Sequence, residues 1–110
     1  MHKLHRNGVE LIGDVDDDPV VHSGNSKSFA VFVLVTRERL TPQGRPVVNF
    51  HRITVYGGLV DYVANSIRKG DYVEVRGRLQ SKSFSENYTD PRDIIMDVVA
   101  KEVFPHGIRE

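Results

Sequence analysis

Two short stretches of this sequence set cationic side chains between aromatic rings at every second position. The first runs Val48, Phe50, Arg52, Thr54, Tyr56, and the second Tyr72, Glu74, Arg76, Arg78, Gln80, Lys82, Phe84. In a β-strand alternate residues share a face, so each set stands on one side of its strand. Rings at Phe50, Tyr56 and Phe84 can stack on the flat faces of unpaired nucleobases. Such stacking is worth about 1–3 kcal/mol per base and tolerates any base sequence. Arg52, Arg76, Arg78 and Lys82 between them can hold phosphates, and an Arg can also stack on a base. The plainer reading makes Phe50 and Tyr56 core residues and the Arg side chains a solvated rim. Phe84 fits that reading less well, because the positions before it on the same side are polar.

No other constellation suggests a reaction. His2 and His5 stand near the terminus, and His22 and His106 fall in or near loops with no assignable partner. His51 shares its strand side with Asn49, Ile53 and Val55, which suits a hydrogen-bonded structural or interface histidine better than a general base. Asp16, Asp17 and Asp18 are consecutive and lack the alternating ligand spacing of a calcium loop. Ser23 and Ser26 have no nucleophile-elbow context, and no phosphate-cradling Gly-rich loop occurs. The sequence contains no cysteine. A disulfide framework, a thiolate metal site and a cysteine nucleophile are therefore excluded. No catalytic set, metal site or cofactor is expected.

The 110 residues fit one domain with 39% hydrophobic and 27% charged residues. Nothing approaches the roughly 18 apolar residues of a membrane span, and no secretory signal is visible. Formal net charge is zero, yet its distribution is uneven. Residues 37–82 carry nine basic against four acidic side chains, while both flanking segments are net acidic. Arg37, Arg39 and Arg45 cluster around Thr41-Pro-Gln-Gly44, a turn that would extend the basic band beyond the strands.

Alternation predicts a first strand over Val9–Val15, stopped by Asp16-Asp-Asp-Pro19, with Ser23–Ser26 as a turn or loop. Ser28–Thr36 is apolar on both faces, as in a strand covered by core on one side and by core or a partner subunit on the other. Val47–Tyr56 is the third strand. Leu59, Val63 and Ile67 recur at four-residue spacing and predict a helix over Leu59–Lys69, with Arg68 and Lys69 in its last turn and Gly70 after it. Asp71–Phe84 and Ile94–Phe104 complete the set. In the Asp71–Phe84 strand, Val73, Val75, Gly77 and Leu79 are expected to face the core, and the even positions solvent. An all-β chain of five strands, with one short helix between the third and fourth, matches the five-stranded Greek-key barrel known as the OB-fold. A small sandwich is the competing topology.

The central stretch carries a more specific likeness. His51-Arg-Ile-Thr-Val-Tyr-Gly57, Gly58-Leu-Val-Asp-Tyr-Val63 and Ile67-Arg-Lys-Gly-Asp-Tyr-Val-Glu-Val-Arg-Gly-Arg-Leu79 resemble the bacterial and mitochondrial single-stranded DNA-binding proteins. Val9–Gly13, Asp18-Pro19 and Phe29–Thr36 resemble the pieces upstream, so the likeness covers residues 7 to about 103. It implies an OB-fold domain over 7–104, an unstructured 1–6 and a short extension at 105–110. It also implies a homotetramer that wraps single-stranded DNA without chemistry in replication, recombination and repair. That family stacks bases at places that fall here on Leu40, Phe50, Tyr56 and Phe84, and uses the position of His51 at a subunit interface. Leu40 cannot stack as a ring does, and Gly58 stands where Lys is usual; both imply weaker binding. The family's usual acidic tail is missing from this sequence, which suggests a tailless or trimmed member. The expected location is the bacterial cytoplasm with the nucleoid, or the mitochondrial matrix. Replication and repair proteins are possible partners. The alternatives are a dimeric primosome-type interaction protein with weak DNA affinity, and an RNA-binding OB module, since stacking alone does not distinguish RNA from DNA.

Overall fold

The computed structural model describes residues 3–24, 27–83 and 94–106, and only the backbone of 82, 83 and 94. The elements run β1 Val9–Val15, β2 Val20–Ser23, β3 Ser28–Glu38, β4 Val47–Tyr56, α1 Leu59–Ser66, β5 Tyr72–Ser83 and β6 Ile94–Pro105. The sheet order is β1-β5-β6-β4-β3-β2, and β1 also pairs with β3. That last pairing closes five strands into a barrel, as the element order predicts. β2 lies outside it as an edge strand.

β2 is the element that the sequence reading does not assign: Val20–His22 fall between the predicted stop and the predicted turn. β1 pairs with the second half of β3 through Asp14↔Val35 and Val15↔Leu34, and β2 pairs with the first half through Val20↔Val31 to Ser23↔Ser28. The two are one antiparallel run along β3, interrupted around Asp17-Asp18-Pro19. Pro19 has no N–H to give the ladder, which suits an interruption. All four β2 residues are exposed. Alternation of burial therefore could not reveal the strand, which exists through its backbone pairing with β3.

The core lies between the inner sides of the strands. It joins Val15, Ala30, Phe32, Leu34, Ile53, Val55, Val73, Val75, Val98 and Val103, and is closed at one end by Val60, Val63 and Ile67 of the helical segment. The helix stops three residues earlier than its apolar spacing suggests: Ile67 is already extended (φ −102°, ψ 130°). Arg68 then turns back and donates from Nη1 to the carbonyls of Ala64 and Ile67, at 2.6 and 2.8 Å. A cation on the last carbonyls satisfies groups that the helix leaves unpaired and complements its dipole. Lys69 N donates to Asp18 Oδ1 at 2.8 Å, which ties the helix exit to the β1–β2 interruption.

Two of the positions that require glycine bear on the interface strands. Gly57 begins the β4–α1 turn at φ +64°, in the left-handed region. At Gly77 the β5–β6 register shifts, so that Arg76 faces Glu102 and Gly77 faces Ala100, with Lys101 the extra residue. A Cβ at Gly77 would run into the Val99 carbonyl oxygen.

Candidate nucleic-acid interface

The long β3–β4 hairpin sorts its side chains cleanly. Directly opposed residues of an antiparallel pair share a face. Ala30, Phe32 and Leu34 of β3 point inward with Ile53 and Val55 of β4, and all are buried. The outer face carries the opposed pairs Phe29↔Tyr56, Val31↔Thr54, Val33↔Arg52, Val35↔Phe50 and Arg37↔Val48. The expected face of β4 is thus assembled, and it points away from the core. Phe50 is 67% exposed and Tyr56 42%, with Val48 also exposed. Core membership for these two rings is ruled out by position. The apolar outer face of β3 is only half covered at Phe29, Val31 and Val33.

Arg52 stands on this face between the two rings. Its Nε lies 3.7 Å from Oδ1 of Asp97, a β6 carboxylate that is 1% exposed. The second oxygen of Asp97 accepts a 2.7 Å hydrogen bond from the Thr54 hydroxyl, also buried. The arrangement sets one end of a half-exposed arginine against a buried counter-charge and leaves the rest of the guanidinium to solvent. Thr54 shares the outward side of β4 with Phe50 and Tyr56 but is covered beneath this pair. Neither Thr54 nor Asp97 is distinguishable from sequence alone, because their burial depends on a neighbouring strand.

The other expected cations separate into two groups. Arg39 and Arg45 are exposed on the connection between β3 and β4, and Arg78 on β5 opposite Val99; none of them is ion-paired among the described residues. Arg37 is half exposed but donates to Asp14 Oδ2 at 3.0 Å. Arg76 is more fully engaged. Its Nε lies 2.7 Å from Glu74 Oε2 and 3.6 Å from Glu10, and its guanidinium sits 5.5 Å from the Phe104 ring centre. The hydrogen bond and charge of Glu74, then the charges of Glu10 and Glu102, push its pKa above the ordinary arginine value.

Two expectations for β5 change. Glu74, assigned to the solvent side, is only 5% exposed. Arg76 covers it, and His106 Nδ1 lies 3.2 Å from its other oxygen. Sequence spacing gives no sign of this, since His106 arrives from the end of β6. Leu79, assigned to the core, is 40% exposed. It does lie opposite buried Val98, but β1 pairing ends at Val9↔Gly77, so no β1 residue covers it. The side chain of Asn7 instead bonds both backbone groups of Leu79, at 2.7 and 2.8 Å. Phe84 lies outside the described residues, and Lys82 contributes only a backbone position opposite Ile95.

His51 stands on the inner side of β4, half-buried, with Nε2 2.9 Å from the Thr36 hydroxyl. Leu40 is 73% exposed beside the β3–β4 turn. No group of three or more metal-ligating side chains occurs among the described residues, and no helix there is long and apolar enough to cross a membrane.

Comparison with known proteins agrees with this geometry. Residues 6–105 match the model of the single-strand binding protein family. A single-stranded DNA-binding protein of Clostridium tetani is 31% identical over 99 residues, which span 88% of this chain and 68% of that protein. Single-stranded DNA-binding protein 1 of Chlorobaculum tepidum is 28% identical over 108 residues, 94% of this chain and 67% of the relative. Among solved structures, Plasmodium falciparum SSB in complex with ssDNA superposes with a TM-score of 0.76 at 28% identity, covering 90% of this chain and 89% of that one. A barrel closed by β1–β3 pairing, a β4 whose rings face outward and a family match over nearly every residue lead to one conclusion: the chain belongs to the single-strand binding protein family.

Proposed function

We propose that this chain binds single-stranded DNA without regard to base sequence, and performs no chemistry on it. The observation that carries the reading is the outer face of β4. An aromatic ring 67% exposed on a rigid strand contributes little to the core, yet it stands in line with Arg52 and Tyr56. Bases stack on Phe50 and Tyr56 while phosphates meet Arg52, and the exposed Arg39, Arg45 and Arg78 continue the cationic path. Arg37 contributes with part of its charge already met by Asp14, and Arg76 contributes least, being held by two carboxylates. Phe84, on its alternation and the resemblance, and Lys82, on its alternation, complete the set as the sequence reads. The family supports a place in replication, recombination and repair, in the cytoplasm with the nucleoid, and a homotetramer with His51 near a subunit boundary.

The test is fluorescence anisotropy of labelled oligo(dT) against a matched duplex, at low and moderate salt. Binding to the single strand alone, weakening as salt rises, is the expected result, because phosphate contacts release counterions. Equal binding to the duplex refutes the stacking mechanism. Absent binding would leave the interaction-protein reading, for which the exposed Leu40 in place of a ring would be the explanation. Competition with oligo(U) reports the preference for DNA over RNA, and sedimentation reports the subunit number.

A further inference from the structure

The file of rings on the outer face does not stop at Tyr56. Across the β3–β4 ladder Tyr56 is opposed by Phe29, their ring centres 6.0 Å apart and tilted by 42°. Across the β2–β3 ladder Phe29 is opposed by His22, with centres 4.9 Å apart and planes within 18° of parallel. Three adjacent strands therefore present three rings in one row. The core does not need them, since their inner-face neighbours Ala30 and Val55 fill the barrel. β2 ends the sheet, so no strand among the described residues stands beyond His22, and its side chain is exposed.

Two hollows flank the row. One, of about 420 Å³, is bordered by Lys27, Ser28, Tyr56 and Gly57. The other, of about 440 Å³, has His22, Val31, Val33 and Arg52 on its walls, with Asp17 and Asp18 at the interrupted end. An anionic backbone is repelled by that acidic end and drawn toward Lys27 and Arg52.

We propose that His22 and Phe29 form a further nucleobase-stacking subsite. A base stacks on the open face of the His22 imidazole, Phe29 holds that ring parallel from behind, and the strand's path continues from Tyr56 onto the β2–β3 hairpin. The inference rests on the reading that the chain binds single-stranded DNA. It adds residues that neither β3–β4 alternation nor the family resemblance singles out.

The experiment measures oligo(dT) affinity by anisotropy for the unaltered chain and for His22→Ala, His22→Phe, His22→Lys and Phe50→Ala. His22 is exposed on an edge strand, so its replacement leaves the core untouched. His22→Ala is expected to weaken binding about five-fold or more, the lower end for loss of one stacked base. His22→Phe is expected to restore it and His22→Lys is not. Restoration by Lys but not Phe would make His22 a charge contact and overturn the stacking assignment. Unchanged affinity in His22→Ala, beside a clear loss in Phe50→Ala, would overturn the subsite alone. Failure of the unaltered chain to bind would overturn the parent reading with it.

Discussion

Phe50→Ala separates a ring that binds from a ring that packs. Complete burial of a phenylalanine stabilises a fold by about 1.5–3 kcal/mol. Phe50 remains 67% exposed, so about a third of that gain is at stake, roughly 0.5–1 kcal/mol. In a domain of this size a change of 1 kcal/mol moves the melting temperature by about 4–8 °C, so a fall of a few degrees is expected. The binding loss is larger: one stacked base is worth about 1–3 kcal/mol, or about five- to 150-fold in affinity for single-stranded oligo(dT). Ile53→Ala gives the opposite signature. It lies on the inner side of the same strand with no exposed surface, and its truncation should cost about 2–5 kcal/mol of stability. Anisotropy titration and thermal melting of both variants, with Phe50→Leu to separate ring from bulk, decide the matter. Equal affinity in Phe50→Ala would refute the stacking role. A melting loss as deep as that of Ile53→Ala would refute the outward placement of the ring.

The arginines should divide by their local partners. Arg52→Gln is expected to reduce the slope of log affinity against log salt by about 0.7, one phosphate contact on a single strand, whereas Arg76→Gln, whose charge is already met by Glu74 and Glu10, should leave the slope unchanged. Titrations at four or five salt concentrations measure both, and equal slopes in the two variants would contradict the division. Gly77→Ala should destabilise the fold by about 1–3 kcal/mol or more in urea unfolding, because its methyl group meets the Val99 carbonyl at the β5–β6 register shift. An unchanged midpoint would mean that the two strands separate there at no cost. Asp97→Ala leaves the buried Thr54 hydroxyl without its acceptor and should lower stability by about 1–3 kcal/mol, with a smaller loss in Asp97→Asn; a Thr54→Val, Asp97→Ala double variant should recover part of it, and no recovery would show that the pair is not coupled.

Period-two alternation made the β4 face legible because both conditions for it hold there. β4 is paired continuously with β3 from Val47 to Tyr56, and its inner side meets a filled core at Ile53 and Val55. Where either condition fails, the pattern loses its meaning. Leu79 alternates correctly but lies beyond Val9↔Gly77, where the β1 pairing ends, so inward no longer means buried. Glu74 alternates outward but is roofed by Arg76 and by His106, a residue 32 positions away in the chain. The acid at Asp97 and the hydroxyl at Thr54 cover each other across a parallel β4–β6 pairing, which leaves no local trace in either segment.

β2 shows the same limit from the other side, and it bears on how the interface is built. A strand with four exposed residues has no alternation to read, and its backbone ladder runs along β3. Yet that ladder carries His22 to within 4.9 Å of Phe29, and so turns two isolated aromatics into a row that reaches Tyr56. β3 serves both purposes at once. Its even positions Ala30, Phe32 and Leu34 fill the barrel, and its odd positions Phe29, Val31 and Val33 face outward and are only half covered. That double duty accounts for a strand apolar on both sides in a chain of zero net charge. Removing outer-face bulk from β3, as in Phe29→Ala, should therefore weaken single-strand binding while the barrel keeps its core, whereas Phe32→Ala, three residues on and pointing inward, should cost about 3–5 kcal/mol of stability. The two outcomes reversed, in paired melting and anisotropy measurements, would overturn this assignment of the two faces of β3.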